Sequence, residues 1–103
     1  MIPRDTTGEA LRRFDGAGLR ALFTRVLDHR ATGATCDELE LLLGVSHQTA
    51  SATLRDLQGR RGIQRAIVDS RARRPTRTGR PAIVWLSLRQ AQRQHATTTL
   101  ERE

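Results

Sequence analysis

The sequence predicts an α+β domain in which three helices precede a two-stranded β-hairpin. Apolar residues recur at helical spacing from Leu19 to Leu27, and two shorter helices with capping residues follow between Thr35 and Leu57. The run AIVWLSL, residues 82–88, is the strongest strand signal in the chain. Together these patterns indicate three helices packed in one core and covered by a hairpin.

The length of 103 residues leaves room for a single domain with one modest hydrophobic core. We expect that domain to span residues 15–88. Residues 1–14 are predicted to form an arm or a short helix. Residues 89–103 make a polar tail, for which a helix, contact with another subunit and disorder all remain open.

The first predicted helix places five apolar residues on one side and charged residues on the other. The apolar side consists of Leu19, Leu22, Phe23, Val26 and Leu27. We expect this support helix to end in the run HRATG, where Gly33 would supply the C-cap.

Capping residues define the next two helices. Thr35 and Glu38 have the spacing of a capping box, in which each side chain bonds the other residue's backbone amide. Gly44 is predicted to end that helix, Val45 to be the apolar residue of the turn, and Ser46 to be the N-cap of the following helix. The pattern therefore predicts two short helices joined by a tight turn.

Each of these helices should have one buried face. The first is predicted to bury three leucines and to expose three acids, which are Leu39, Leu42 and Leu43 and Asp37, Glu38 and Glu40. The second should bury Ala50, Thr53, Leu54 and Leu57. Small residues in the second set allow the helices to approach closely.

The hairpin is predicted from two strand-forming runs that flank an arginine-rich loop. Ile67 and Val68 begin the first strand, the loop contains the run RARRPTRTGRP, and AIVWLSL forms the second strand. Trp85 is expected to anchor the core or the hairpin. The stretch LQGRRGIQRA before the hairpin leaves open a longer helix or a longer hairpin.

Positive charge is concentrated in one quarter of the chain. Residues 55–80 hold nine arginines against Asp56 and Asp69, a net charge of +7, whereas residues 1–54 carry −1 and residues 81–103 carry +1. Clustered arginines suit a phosphate-binding surface, because each one near a phosphate displaces condensed counterions. The clustering therefore favours a nucleic-acid partner.

Composition argues against several other classes. Three aromatic residues are too few for the stacking platforms of single-strand binding, so duplex binding is favoured. Cys36 is the only cysteine, which excludes an internal disulfide and a cysteine-rich zinc site. Its position at a helix N-terminus would lower the thiol pKa and suit a redox sensor, although a buried inert cysteine is the commoner case.

Catalytic and membrane functions have no support in the sequence. The three histidines are scattered, and neither paired carboxylates near a nucleophile nor a glycine-rich phosphate loop is present. We therefore expect no enzyme, no catalytic residues, no cofactor and no metal ligands. Neither a membrane-spanning run nor a signal peptide is recognisable, so a soluble cytoplasmic protein is expected.

The stretches LLLGVSHQTASATLRDL, residues 41–57, and RRPTRTGRPAIVWLSL, residues 73–88, resemble small winged helix-turn-helix proteins of bacteria and actinobacterial phages. A more distant resemblance is to the multiple-antibiotic-resistance-type regulators. This resemblance implies a winged helix-turn-helix, with a three-helix core and a C-terminal two-stranded β-hairpin wing. It covers roughly residues 15–88. One departure is Glu40, where many such motifs have alanine.

The resemblance implies two sets of DNA-binding residues. Those of the recognition helix, which would enter the major groove, are Ser46, His47, Gln48, Thr49, Ser51, Ala52 and Arg55. Those of the wing, which would contact the backbone or minor groove, are Arg71, Arg73, Arg74, Arg77, Thr78 and Arg80. Further backbone contacts are expected from Arg60, Arg61 and Arg65.

The leading hypothesis is a sequence-specific double-stranded DNA-binding protein that regulates transcription, of phage or mobile-element origin. A homodimer is expected, because one recognition helix reads only a few base pairs and symmetric half-sites raise specificity. One alternative is an accessory DNA-binding factor in replication or recombination. Another is a protein-interaction module that binds an acidic host protein.

Overall fold

The computed structural model describes residues 15–102, with side chains over residues 15–96. Within these residues it is an α+β domain with four helices and one two-stranded antiparallel hairpin. The elements in chain order are α1 (Gly16–Asp28), α2 (Cys36–Leu43), α3 (His47–Leu57), β1 (Ile67–Pro75), β2 (Pro81–Ser87) and α4 (Leu88–Arg102). The arm or short helix expected over residues 1–14 lies outside the described residues.

Helix α1 is the expected support helix and ends at the start of the run HRATG, as predicted, but its C-cap residue differs from the prediction. Asp15 is the N-cap, and its side chain accepts a hydrogen bond from the Gly18 N–H at 2.8 Å. The helix ends at Asp28 with His29 as the C-cap, so Gly33 is not the capping glycine. The prediction was wrong because the turn over residues 29–32 separates Gly33 from the helix.

Gly33 instead allows the chain to approach β2. Its φ is +69°, and a Cβ atom there would overlap the Trp85 carbonyl oxygen and lie 2.9 Å from Val84 Cγ1. The next residue, Ala34, forms an antiparallel bridge with Trp85, with N···O distances of 3.0 and 2.8 Å. Ala34 thus adds an isolated one-residue bridge to the edge of the two-stranded sheet.

The capping signals of α2 and α3 are confirmed. Glu38 N–H donates to Thr35 Oγ1 at 3.1 Å, and Thr35 N–H donates to Glu38 Oε1 at 3.0 Å, which completes the capping box. Gly44 caps the C-terminus of α2 in the left-handed conformation, with φ of +66°. Ser46 Oγ accepts from the Thr49 N–H at 3.1 Å and caps α3.

The core lies between α1, α2, α3 and the start of β1. Its buried members are Phe23, Leu27, Ala34, Leu39, Leu43, Ala50, Leu54, Leu57 and Ile67. Trp85 is partly buried against this cluster, as predicted for an anchor. Val84 and Leu86 are buried on the other face of β2. Leu42 was predicted to be buried, and this prediction was wrong, since the residue is 50% exposed. The buried residue one helical turn after Leu39 is Leu43.

The hairpin is longer and its loop shorter than the sequence indicated. Strand β1 continues to Pro75, which lies opposite Pro81, and residues 76–80 form the turn. In this turn Thr76 N–H donates to the Arg80 carbonyl, and Gly79 N–H donates to the Thr76 carbonyl, both at 2.9 Å. Helix α3 ends at Leu57, so the rest of the stretch LQGRRGIQRA does not lengthen the helix.

Helix α4 follows β2 without a loop, so the hairpin is not the last element of the fold. Its side chains satisfy carbonyl groups at the C-terminal end of α1 and just beyond it. Gln90 Nε2 donates to the Asp28 carbonyl at 2.7 Å, and Gln94 Nε2 donates to the Ala31 carbonyl at 2.6 Å. These bonds hold a polar helix that has few apolar residues to bury. No helix in the described part of the chain has the length and apolar character needed to cross a bilayer.

Substitution of Gly33 by alanine should destabilise the fold by about 2–4 kcal/mol, because positive φ and a backbone clash with β2 act together. Gly62 is a matched control, since its φ is +74° and a Cβ there would meet open space. Gly62→Ala should cost only about 1 kcal/mol. Urea unfolding of both variants measures the difference, and equal losses would refute the role given to the Gly33–β2 contact.

Candidate nucleic-acid interface

Helix α3 turns one polar strip away from the core. Gln48, Ala52 and Arg55 are exposed and follow one another at spacings of four and three residues, which places them on one helix face. Ser51 lies beside them and is half-buried. The opposite face carries the four residues that the sequence predicted to be buried, and all four are buried. The strip contains no acidic residue, so it is open to donor and acceptor groups of a partner.

Three other residues predicted for the recognition helix lie at its N-terminus. Ser46 and Thr49 bond to each other, since Ser46 Oγ also donates to Thr49 Oγ1 at 3.0 Å. His47 is 74% exposed, and its Nδ1 lies 3.0 Å from Glu40 Oε2 of α2. Ser46 and Thr49 therefore hold the helix start, and His47 faces the junction with α2.

Arg74 connects the hairpin to α2 instead of pointing into solvent. Its guanidinium donates to both Glu38 carboxylate oxygens, from Nε at 3.0 Å and from Nη2 at 2.5 Å. It also donates to the carbonyls of Thr32 at 2.9 Å and Gly33 at 3.1 Å. All these acceptors belong to the protein itself, so Arg74 acts as a clamp between β1 and the start of α2.

Arg77 makes a second connection from the hairpin turn. Its Nε donates to Asp37 Oδ1 at 2.6 Å, its backbone N–H donates to Asp37 Oδ2 at 3.2 Å, and its Nη2 donates to Glu40 Oε1 at 3.3 Å. The acids of α2 were expected to be exposed, but the side chains of Asp37 and Glu40 are only 16% and 11% exposed. That expectation failed because the hairpin packs over them.

Arg73 and Arg71 lie in a β-bulge. Asp69 pairs with Trp85 and Arg73 with Ile83, so three residues of β1 stand opposite a single residue of β2. Arg73 makes two hydrogen bonds to Asp69, at 3.0 and 3.2 Å. The Arg73 hydrogen bond, followed by the Arg71 N–H, lowers the pKa of Asp69 below its usual range.

Arg71 occupies the left-handed region, with φ of +72°, and its N–H donates to Asp69 Oδ1 at 2.7 Å. A non-glycine residue at positive φ is uncommon and is found where a local structure holds it. Here the bulge and the Asp69 side chain hold it. The Arg71 side chain is exposed at the outer bend of β1.

The remaining candidate cations are exposed. Among the described residues, those whose side chains make no ion pair are Arg55, Arg60, Arg61, Arg65, Arg71 and Arg80. Arg65 Nε donates to the Ile67 carbonyl at 3.3 Å. Thr78 is exposed in the hairpin turn, with its Oγ1 2.9 Å from Thr76 Oγ1.

Two open grooves lie at the two ends of α3. One, with a volume of about 660 Å³, brings Gln58 just after α3 together with Arg65, Arg71 and Arg73. The other, of about 500 Å³, brings His47 together with the hairpin-turn residues Arg77, Thr78 and Arg80. The hairpin thus places arginines near both ends of the helix.

Sequence reasoning missed the acids of α2 as partners of the arginines. The signal was available, because three of the seven acids that precede the basic segment are clustered in α2, namely Asp37, Glu38 and Glu40. Their contacts with residues about 36–40 positions later were not visible in the sequence. The basic surface is consequently smaller than the sequence charge indicates.

Glu38 illustrates the electrostatics of this contact. Burial by itself would raise its pKa, but the hydrogen bonds from Arg74 and from the Thr35 N–H outweigh burial, and the pKa falls below the ordinary value. The positive charges of Arg74 and Arg30 add to this effect. The carboxylate is therefore held in its ionised form.

Cys36 has the opposite environment. Burial, a hydrogen bond to Glu40 and the negative charges of Glu40 and Asp37 raise the pKa of its thiol to about 12. These influences exceed the effect of the helix N-terminus, so the thiol is protonated at neutral pH. The redox-sensor alternative required a lowered thiol pKa and is not supported.

Comparison with protein-family models, with curated proteins and with solved structures finds no match to this chain.

Replacing Arg74 with methionine should destabilise the protein by about 1–2 kcal/mol, because four acceptors lose a donor while the aliphatic stem is kept. The figure is modest because Arg74 and Glu38 are each 32% exposed. The control is Arg80→Met, which removes a cation of the same hairpin that has no ion pair. Chemical denaturation compares the two, and equal stability of both variants with the parent would contradict the clamp.

Acid should selectively weaken the Glu38 contact. Because the folded-state pKa is lowered, the contact contributes stability above the ordinary glutamate pKa of 4.5 and loses it as pH falls through the folded-state value. The difference in unfolding free energy between the parent and Glu38→Gln should therefore shrink below about pH 4.5. Asp69 titrates in both proteins and cancels. A difference that is constant from neutral pH to about pH 3 would argue against this assignment.

Proposed function

We propose that the protein is a winged helix-turn-helix regulator that binds double-stranded DNA in a sequence-specific manner. In this proposal α2 and α3 are the helix-turn-helix, α3 is the recognition helix and the β1–β2 hairpin is the wing. The order of the elements, with an antiparallel hairpin after three helices that share a core, is compatible with such a layout. The function rests on the chemistry of the exposed surface.

One observation carries the proposal: the exposed strip of α3 has readout chemistry and is flanked by unpaired arginines. Gln48 could bond adenine through two hydrogen bonds, and Arg55 could bond guanine or a phosphate. Both project from the face opposite the buried one. An α-helix with such a strip has the dimensions to enter a major groove.

The charge available to DNA is smaller than the sequence alone suggested, but it is better defined. Subtracting the three α2 carboxylates that contact the hairpin from the +7 of residues 55–80 leaves +4. Of the candidate cations outside ion pairs, Arg55 lies in the last turn of α3, and Arg71 and Arg80 line the two grooves at its ends. We assign phosphate contact to these three and a positioning role to Arg74 and Arg77.

The proposal also includes the mode of regulation: the protein would bind a two-fold symmetric operator as a homodimer and regulate transcription by occupying it. A single α3 offers too few readout side chains to select one site in a genome. Two copies would double the number of base pairs that the protein recognises. Sedimentation of the protein with and without its selected duplex measures the number of copies bound.

Duplex binding should weaken steeply with salt, by about 0.9 log units of affinity per log unit of salt for each phosphate contacted. Arg55→Ala, Arg71→Asn and Arg80→Ala should each lower that slope by about 1. Asparagine is used at Arg71 because it tolerates positive φ. Arg25→Ala, on the solvent-facing side of α1, is the matched control and should leave the slope unchanged.

Sequence readout needs a separate measurement. Binding-site selection from random duplexes should return one preferred sequence for the parent, and Gln48→Ala should change the bases preferred at one position. Salt-independent or absent duplex binding would reject the proposal. Tight binding without any preferred sequence would indicate an accessory DNA factor, and binding to an acidic polypeptide but not to DNA would indicate a protein-interaction module.

A further inference from the structure

Three side chains of different chemistry meet where α2, α3 and the hairpin turn come together. Cys36 Sγ lies 3.5 Å from Glu40 Oε2 and 4.0 Å from His47 Nδ1, and the two latter atoms are 3.0 Å apart. Cys36 and Glu40 are partly buried, while His47 is exposed. From this geometry we propose that Cys36, Glu40 and His47 form a binding site for a divalent transition-metal ion such as Zn²⁺.

The distances fit a tetrahedral ion. Zinc binds sulfur at about 2.3 Å and nitrogen or oxygen at about 2.0–2.2 Å, so the edges of its coordination tetrahedron measure roughly 3.3–3.6 Å. The three observed separations of 3.0, 3.5 and 4.0 Å lie within about 0.5 Å of these edges. Small side-chain rotations would close the triangle around one ion, without movement of either helix.

The donor set also selects the kind of metal. One thiolate, one imidazole and one carboxylate suit Zn²⁺ and Co²⁺, whereas Mg²⁺ and Ca²⁺ prefer oxygen ligands alone. The cluster opens into the groove of about 500 Å³ beside the hairpin turn. The fourth coordination position would therefore be filled by water or by a ligand from solution.

Arg77 supports the site from outside the ligand set. Its Nη2 holds Glu40 Oε1 at 3.3 Å and leaves Oε2, the oxygen near Cys36 and His47, to face the ion. Such outer contacts orient ligands and raise the affinity of metal sites. Charged or titratable groups around the cluster come from each adjoining element: Asp37 and Glu40 of α2, His47 of α3, and Arg77 and Arg80 of the hairpin turn.

Without a metal ion, the Cys36 thiol donates a hydrogen bond to Glu40 Oε2 at 3.5 Å. Metal binding would release the thiol proton, because the ligand is the thiolate. The ion would tie the first turn of α2 to the first turn of α3, and so fix the helix that carries Gln48. The inference does not depend on DNA binding.

The test uses the untagged full chain, stripped of metal and titrated with Co²⁺. The expected result is one ion per chain, with a thiolate-to-cobalt charge-transfer band in the near ultraviolet and the intense visible bands of tetrahedral Co²⁺. Zn²⁺ should displace the cobalt and raise the melting temperature. Cys36→Ser should abolish the charge-transfer band, and His47→Ala should weaken binding at least about tenfold. His29→Ala removes a different exposed histidine as the matched control and should bind like the parent.

Circular dichroism of each variant separates loss of the site from loss of the fold. Absence of the charge-transfer band in the parent, one ion shared between two chains, or equal affinities of the folded Cys36→Ser variant and the parent would each overturn the proposal. Because these readouts involve no DNA, they are independent of the test of the proposed function.

Discussion

The Glu38 carboxylate carries two contacts on which the arrangement of the domain depends. Its Oε1 accepts the Thr35 N–H and closes the first turn of α2, while both of its oxygens accept the Arg74 guanidinium from β1. The capping box fixes the orientation of the carboxylate that the hairpin contacts. The same group therefore starts a helix and anchors a strand. The local contact that starts α2 and the long-range contact that docks the hairpin therefore support each other.

The hairpin is attached through its backbone as well. Ala34 bonds to the Trp85 backbone in both directions, and Gly33 leaves space for that contact. Trp85 covers the helical core from the same strand. With Arg77 added at the turn, attachments lie along most of the hairpin's length. These attachments hold the hairpin against α2 and the segment before it, and so set where its cations lie relative to α3.

The arginines of the basic segment divide into two groups with different physical roles. Arg74 and Arg77 have their donors directed at protein acceptors, and their charge is compensated by α2. Arg71 is held outward by a bulge whose positive φ costs free energy that other contacts must offset. The bulge and the Asp69 side chain hold Arg71 in this conformation, and its guanidinium makes no ion pair. It is part of the proposed phosphate-binding surface.

The junction of α2, α3 and the hairpin turn shows how tertiary contacts create chemistry. Cys36, Glu40 and His47 carry no recognisable metal-binding spacing, because the ligands come from two helices separated by the turn at Gly44. Cys36 and Glu40 are one turn apart on α2, and the packing of α3 beside α2 brings His47 to them, so that the three donor atoms lie within 4.8 Å of one another. Arg77 then adds a contact from a third element.

The sequence by itself determined the features that depend on neighbouring residues: the capping box at Thr35, the left-handed cap at Gly44, the N-cap at Ser46 and the buried face of α3. These are set by short-range geometry, so a few adjacent residue types are enough to specify them. Tertiary structure decided the features that depend on contacts between residues far apart in the sequence. These are the length of β1, the docking of α4, the role of Gly33 and the partners of each arginine. A guanidinium binds whichever carboxylate the fold brings near it, and that choice is fixed only when the elements pack.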